Sequence, residues 1–349
     1  MSDHRVPVER LVAFAASILR AQGVRPEHAL ICAARMVDAD RRGRTGHGLI
    51  RLAQYSTRIR AGGYSLDPDI RVLHETPVSA LVDGDNGLGQ VVMTRAAETA
   101  IEKAAASGIG WVGTTNSNHA GAAGIYPAMA LEQGLGAFYF AVANGNGMPP
   151  WGGIERLLGT NPIAFAIPAG DQTPFELDIA TTVASHGTIR VTAQAGERMP
   201  EGWVVDEDGE PITDPNRADE GFLMPIGGYK GAGLNIMIGL LAGVMTGSAF
   251  GSDVVPFRTD HTTPTNTGQA MIAFRPDLFS SLEDYRHRID AKLTELRTSK
   301  TKTGEPVVLP GERSRASIAE ADRAGIEVPA GLWDALGSLA AEVGVSPLV

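Results

Sequence analysis

Gly108-Ile109-Gly110-Trp111-Val112-Gly113 fits the string G-x-G-x-x-G, which in a Rossmann fold cradles a dinucleotide pyrophosphate. The motif works only where it leaves a strand and opens a helix, so that N–H groups at the helix start meet the phosphates. Here the order is reversed. The Ala-rich run from about Val91 to Ala106 reads as a helix, Gly108 stops it, and Gly110 to Thr115 reads as a strand. The hexapeptide reads as an ordinary helix stop rather than a nucleotide site, inside a stretch where helix and strand alternate.

Working outward, Asp69 to Asp83 alternates as strands before a Gly-Asp-Asn-Gly turn at 84–87. Downstream, a helix near Gly121 to Gln133 and a strand over Leu135 to Ala143 continue an α/β alternation. From about Trp151 to Pro225 the chain is rich in Gly, Pro and Asp, with short β-like runs at Pro162 to Ile167 and Gly187 to Val191 and an exposed acidic loop over Trp203 to Asp219. Gly227 to Gly233 then launches an apolar helix over 234–247, and Thr265 to Phe274 returns as a strand. The ends are helical. Pro7 to about Gln22 and Pro26 to about Arg42 each begin with proline and stop at a glycine, Gly23 or Gly43. Near the other end, Ser280 and Glu283 are spaced as a capping box ahead of Leu282, Tyr285, Ile289, Leu293 and Leu296 on one face. The division expected is a mainly helical part from 1–75 plus 275–349 and an α/β core over 76–274, with an irregular insertion around 190–222.

With 349 residues, 43% of them hydrophobic, the chain can bury a large core. A formal charge of −10 and no basic patch argue against nucleic acid or anionic lipid as partners. Cys32 is the only cysteine, which excludes an intrachain disulfide and a thiolate cluster and fits a reducing cytoplasm. It sits in an apolar helical run and reads as core. Met1 to Val8 is charged and lacks an apolar signal-peptide core. The longest apolar run, Leu234 to Gly251, is interrupted by Asn235, Thr246, Ser248 and glycines, so it reads as a buried helix rather than a membrane span.

His47, Arg51 and Tyr55 recur every four residues in Gly46-His47-Gly48-Leu49-Ile50-Arg51-Leu52-Ala53-Gln54-Tyr55, so a helix would project them from one stripe. A proton carrier, a cation that grips carboxylate in two bonds and a hydroxyl suit a small carboxylated substrate. The plainer alternative is a solvated polar stripe, weakened by the two glycines that flank His47 and let the backbone approach a neighbour. His119, in Asn116-Ser117-Asn118-His119-Ala120-Gly121, follows a strand, where α/β proteins place reactive groups; a structural histidine at a helix cap is the alternative. Lys230, among glycines before an apolar helix, has the elements of an anion site, and the same stretch could be a plain turn. Pro310-Gly311-Glu312-Arg313 reads as a turn or a ribose and phosphate contact. His186, near Asp178-Ile179-Ala180-Thr181-Thr182, reads as structural. No metal-binding pattern and no nucleophile elbow appears.

Taken together, Thr45-Gly46-His47-Gly48 with Arg51 and Tyr55, Asn116 to Gly121, Gly159-Thr160-Asn161-Pro162, Asp178 to Thr181, Pro225 to Gly231 and Pro310 to Arg313 resemble the type-2 malate/L-lactate dehydrogenase family along nearly the whole chain. The family includes ureidoglycolate, sulfolactate and diketogulonate enzymes and reductases of cyclic imino acids. The resemblance implies a non-Rossmann, mixed-sheet NAD(P)-binding fold, a homodimer, and hydride transfer between NADH or NADPH and a 2-oxo acid. It implies cofactor contacts at Asp178, Ile179, Ala180, Lys230, Pro310, Gly311, Glu312 and Arg313, with His119 beside the nicotinamide. His47, Arg51 and Tyr55 then form the substrate side, in the helical part, with His47 or His119 as the proton carrier. One departure stands out: Gly46 occupies the place where many members carry a Ser before the histidine. Thr188 follows His186-Gly187 where the imino-acid branch has an Asp. Reduction of a cyclic imine remains the alternative within the family, and a cofactor-free hydrolase or lyase the alternative outside it.

Overall fold

The computed structural model describes residues His4 to Leu348; Met1, Ser2 and Asp3 of the charged N-terminal segment lie outside the described residues. The chain opens with β1 (His4–Val6), α1 (Val8–Ala21), α2 (Pro26–Arg41) and α3 (Leu52–Arg60), followed by β2 (Arg71–Glu75), β3 (Ser79–Asp83) and α4 (Gly89–Ser107). The middle holds β4 (Ile109–Thr115), α5 (Ile125–Leu131), β5 (Gly136–Ala141), β6 (Ile163–Ile167), β7 (Phe175–Ile179), α6 (His186–Gln194), β8 (Val204–Val205) and β9 (Phe222–Leu223). It closes with α7 (Tyr229–Ala242), β10 (Gln269–Phe274), α8 (Leu282–Arg297), α9 (Glu312–Ala324), β11 (Ile326–Val328) and α10 (Ala330–Glu342).

Gly108 sits at φ 89° and caps α4, as expected of a helix-stop glycine, and β4 starts at the next residue. The strands form a seven-stranded sheet in the order β2-β3-β4-β10-β5-β6-β7. Only β3 and β4 run parallel; every other pair is antiparallel. The helix-strand alternation therefore produces a single parallel crossover, through α4, and β10 arrives from far along the chain to separate β4 from β5. Small side chains let α4 lie close on the sheet: Ala96, Ala97, Ala100 and Ala104 pack with Val82, Val112 and Met271.

The two chain ends meet. β1 pairs antiparallel with β11, and Leu11, Ile18, Met36, Leu52, Leu336 and Leu339 share one apolar core, in which Cys32 is fully buried. A triad of charges ties this helical layer to the edge strand: Glu176 on β7 accepts from Arg42 after α2 at 2.9 Å and from Arg315 on α9 at 2.5 Å. No helix of the described residues is long and apolar enough to cross a membrane.

Three local expectations are corrected. Gly187 to Val191 is helical, because Ser185 caps α6 by accepting the Thr188 N–H at 3.1 Å. The cap of α8 is Ser281 with Asp284, one residue beyond the Ser280 and Glu283 spacing. Of that helix's apolar residues only Leu293 is buried. Finally, His47, Arg51 and Tyr55 do not share one α-helix: Thr45–His47 and Leu49–Arg51 are separate single 3₁₀ turns, and α3 begins only at Leu52.

Candidate active site

The break in helix at residues 45–51 has a local cause. The Asp40 carboxylate on α2 accepts the Leu49 N–H at 2.8 Å, and a Cβ built on Gly48 would lie inside that carboxylate. The close approach that Gly48 permits is thus to Asp40, which pins the turn carrying His47. Burial pushes the Asp40 carboxyl up to about 7. Gly46 is different: a Cβ there would meet open space.

His119 lies in the loop between β4 and α5, which starts four residues later than expected, at Ile125. The loop is strapped from beneath. Asn118, fully buried, donates to the Asn86 side chain and the Gly87 carbonyl at 2.9 Å each, and its own carbonyl accepts from Gln269 at 2.7 Å. On this support the His119 ring packs 5.6 Å from the His47 ring, nearly parallel to it, and 5.5 Å from the Phe257 ring.

Tyr55 reaches the same point from α3. Its hydroxyl lies 2.7 Å from His119 Nδ1 in a partly buried contact and accepts from Gln90 Nε2 at 2.7 Å in a fully buried one. A phenol can donate to a bare Nδ1 or accept from a protonated one, so it holds the ring in either state. Arg51 is nearby but turned along the backbone: its Nε donates to the Gly46 carbonyl at 2.7 Å and its Nη1 to Gln54 Oε1 at 3.0 Å. The structure therefore bonds His119 to Tyr55, lays the His47 ring alongside it, and sets Arg51 on the turn that carries His47.

Electrostatically the site is poor in protons. Burial, assisted by Arg51 and Arg44, pushes the His47 imidazole down to about 4. Burial, then His47 and Arg51, holds His119 well below the ordinary imidazole range. Both rings are neutral at physiological pH. The His47 Nδ1 is enclosed and has no hydrogen-bond partner among the described residues.

The remaining motifs are strung along β7, the Pro310 turn at its start and the Lys230 segment beyond its end. Asp178 packs on Gly124, at the far end of the His119 loop, and Arg44 lies 3.6 Å from its carboxylate; burial raises the Asp178 carboxyl despite Arg44 and the Gly124 N–H. Ile179 ends the strand opposite Ile163, and beyond Ala180 the Thr181 carbonyl accepts from Ile226 at 3.0 Å, bringing the Lys230 segment alongside. Gly227 and Gly228 take φ 60° and 64°, a turn that leads into the free N–H groups of α7; Lys230 beside them is exposed and has no side-chain partner among the described residues. The Pro310 carbonyl accepts the Glu176 N–H at 3.2 Å, and Gly311, at φ 100°, fits closely against Glu176. Glu312 is committed to Arg297 at 2.6 Å, while Arg313 faces solvent. A cation and a helix start, with the half-buried Asp178 carboxylate near them, form a set that fits a nicotinamide dinucleotide, whose phosphates take N–H groups and cations.

A model of the malate/L-lactate dehydrogenase family matches residues 6–337. The chain belongs to the malate/L-lactate dehydrogenase family. L-Sulfolactate dehydrogenase of Methanocaldococcus jannaschii is 38% identical over 331 residues, 94% of either chain. The NAD(+)-dependent ureidoglycolate dehydrogenase of Escherichia coli K12 is 34% identical over 310 residues, 88% of this chain and 87% of its own. Malate dehydrogenase of Pyrococcus horikoshii superposes with a TM-score of 0.89 at 34% identity, covering 99% of this chain and 97% of that one. Family members named for NAD(+) and for NADP(+) both match, and the mixed sheet without a Rossmann half is the architecture this family shares.

Sequence reading missed Asp40 and Gln90, which help build the site. Asp40 gave no separate signal, because α2 also carries Glu27, Arg35, Asp38 and Arg41. Gln90 comes from a distant segment and carried none.

Proposed function

We propose that this enzyme exchanges a hydride between NADH or NADPH and a small 2-oxo acid, interconverting it with the 2-hydroxy acid. The observation that carries the reading is the Gln90–Tyr55–His119 chain set beside His47 and Arg51. In it a neutral imidazole is held by a hydroxyl able to follow its protonation. When bound, the nicotinamide supplies or takes the hydride at the substrate's reacting carbon. His119 takes the hydroxyl proton in oxidation and, once protonated from solvent, returns it to the carbonyl oxygen in reduction. His47, whose Nδ1 lacks a partner, bonds the substrate. Arg51 holds its carboxylate and so fixes the reacting carbon. Lys230, the α7 N–H groups, Asp178 to Ala180 and the Pro310 to Arg313 turn hold the cofactor.

The active form in this reading is a cytoplasmic homodimer. Met237, Leu240 and Val244 on one face of α7 and its continuation, with Met245, are 41, 48, 57 and 65% exposed, an apolar stripe that a second copy would cover. Sedimentation of the purified protein tests this.

A fluorescence titration with NADH and separately NADPH tests the cofactor reading before any substrate is known. Saturable binding of either is expected, weakened about 10-fold in Lys230→Ala by loss of one charge-assisted contact. Turnover that needs no nicotinamide would instead favour a hydrolase or lyase.

A further inference from the structure

Among the described residues, four that are not glycine take a positive φ: Asp85 at 43°, Asn86 at 55°, Asn116 at 50° and Asn266 at 42°. Side chains disfavour this region, and the chain uses glycine for it elsewhere, as at Gly108 and Gly247. The four meet at one place, beyond the paired ends of β3 and β4 that lead into the His119 loop. Asp85 and Asn86 are the centre of a tight turn, closed by the Gly87 N–H on the Gly84 carbonyl at 2.8 Å. Asp83 Oδ1 accepts from the Asp85 N–H at 3.1 Å and from Asn116 Nδ2 at 2.9 Å. The Asn116 carbonyl accepts the Asn86 N–H at 2.9 Å, and the Asn116 N–H donates to Asn266 Oδ1 at 2.7 Å. Strain kept where glycine would relieve it marks side chains that carry a task.

Asn86 engages both ends of its amide. Its Oδ1 accepts from Asn118 Nδ2 at 2.9 Å, and Asn118 is fully buried directly before His119. Its Nδ2 donates to the Gly63 carbonyl at 3.3 Å, and its backbone carbonyl accepts the Ser65 N–H at 2.9 Å. Between those two points lies Tyr64, buried and packed edge-on against the Tyr55 ring at 6.5 Å. One residue thus grips the segment that presents His119 and the segment that backs Tyr55. The 2.7 Å contact between His119 and Tyr55 tolerates little displacement of either, because hydrogen bonds weaken steeply with misalignment.

Resting on the hydride-transfer reading above, we propose that Asn86 is a positioning residue of that reaction: its left-handed turn clamps Asn118 and the 63–65 segment together and so sets the contact between His119 and Tyr55.

The test uses Asn86→Gly, Asn86→Asp, Tyr55→Phe and the double variant of Asn86→Gly with Tyr55→Phe. Glycine fits a positive φ, so Asn86→Gly should keep the fold, read by circular dichroism, and lose only the side-chain grips. NMR of nitrogen-labelled histidine reports the state of His119 Nδ1 without any turnover, and Tyr55→Phe identifies the signal of an Nδ1 that has lost its partner. In Asn86→Gly the His119 signal should move toward its Tyr55→Phe position. With NADH or NADPH and whichever of pyruvate, 2-oxobutanedioate and 3-sulfopyruvate is reduced fastest, Asn86→Gly should lower kcat about 10- to 100-fold and leave the cofactor Kd within about twofold of wild type. In the Tyr55→Phe background the same substitution should cost less than about threefold, since the contact it sets is already gone. Asn86→Asp keeps the acceptor for Asn118 and should restore part of the rate. Wild-type values of both kcat and the His119 signal in Asn86→Gly would overturn the proposal. So would full additivity of the two substitutions, the mark of a residue that acts apart from the His119 and Tyr55 contact. If the wild type reduces no 2-oxo acid while Asn86→Gly still moves the signal, the hydride-transfer reading falls and the clamp on His119 stands.

Discussion

Replacing Tyr55 by Phe removes one oxygen and keeps the ring, so it leaves the packing on Tyr64 and Phe257 in place. What it strips away are two 2.7 Å hydrogen bonds, a partly buried one at His119 Nδ1 and a buried one from Gln90 Nε2. A buried polar group left without a partner costs about 1–3 kcal/mol. With some relaxation of Gln90, the variant should lose about 2–4 kcal/mol of stability in urea unfolding. The kinetic loss has a separate origin. Without the hydroxyl His119 loses the partner that fixes its Nδ1 and thereby the tautomer and aim of the other ring nitrogen, so kcat/KM should fall about 10- to 100-fold, mostly in kcat. Steady-state kinetics in the oxidising direction, alongside the unfolding curve, measures both. Wild-type stability together with kcat/KM within about twofold of wild type would refute the relay, because a buried hydroxyl cannot be lost at no cost if it makes those bonds.

The depressed imidazoles set the pH dependence. A base must be neutral to act, and burial keeps His47 neutral down to about 4 and His119 well below the usual range. The oxidising kcat/KM should therefore hold its plateau as pH falls through about 6.5, where a free imidazole would titrate, and the reducing kcat/KM should rise over the same interval; an oxidative fall centred near that free value would contradict it. Arg51→Lys keeps the charge and loses the two-pronged grip, so kcat/KM should drop at least about 10-fold in a substrate-saturation assay. Gly48→Ala would push a methyl into the Asp40 carboxylate, so thermal unfolding should show a loss of about 2 kcal/mol or more, with activity lost as the His47 turn shifts.

Elements whose signals are local were legible. Gly108 as a stop for α4, Pro26 and Gly43 bracketing α2, and the strand reading of β4 all rest on neighbours within a few residues. Sheet order was not. The insertion of β10 between β4 and β5 depends on pairings such as Met271 with Val112 and with Tyr139, which no periodicity encodes. The spacing of His47, Arg51 and Tyr55 pointed to one neighbourhood through a wrong intermediate. The i, i+4 rule assumes a continuous helix, whereas Asp40 holds the chain in two tight turns before α3 begins. Ser185 shows the same limit in reverse. Its cap converts a β-like run into α6.

The most direct test of the central claim follows one atom. Turnover of a 2-oxo acid with NADH or NADPH deuterated at C4 of the nicotinamide should place deuterium on C2 of the hydroxy acid, read by mass spectrometry, in wild type and more slowly in Tyr55→Phe. A product without deuterium from either face of the ring, or turnover that proceeds with no nicotinamide present, would contradict hydride transfer at this site.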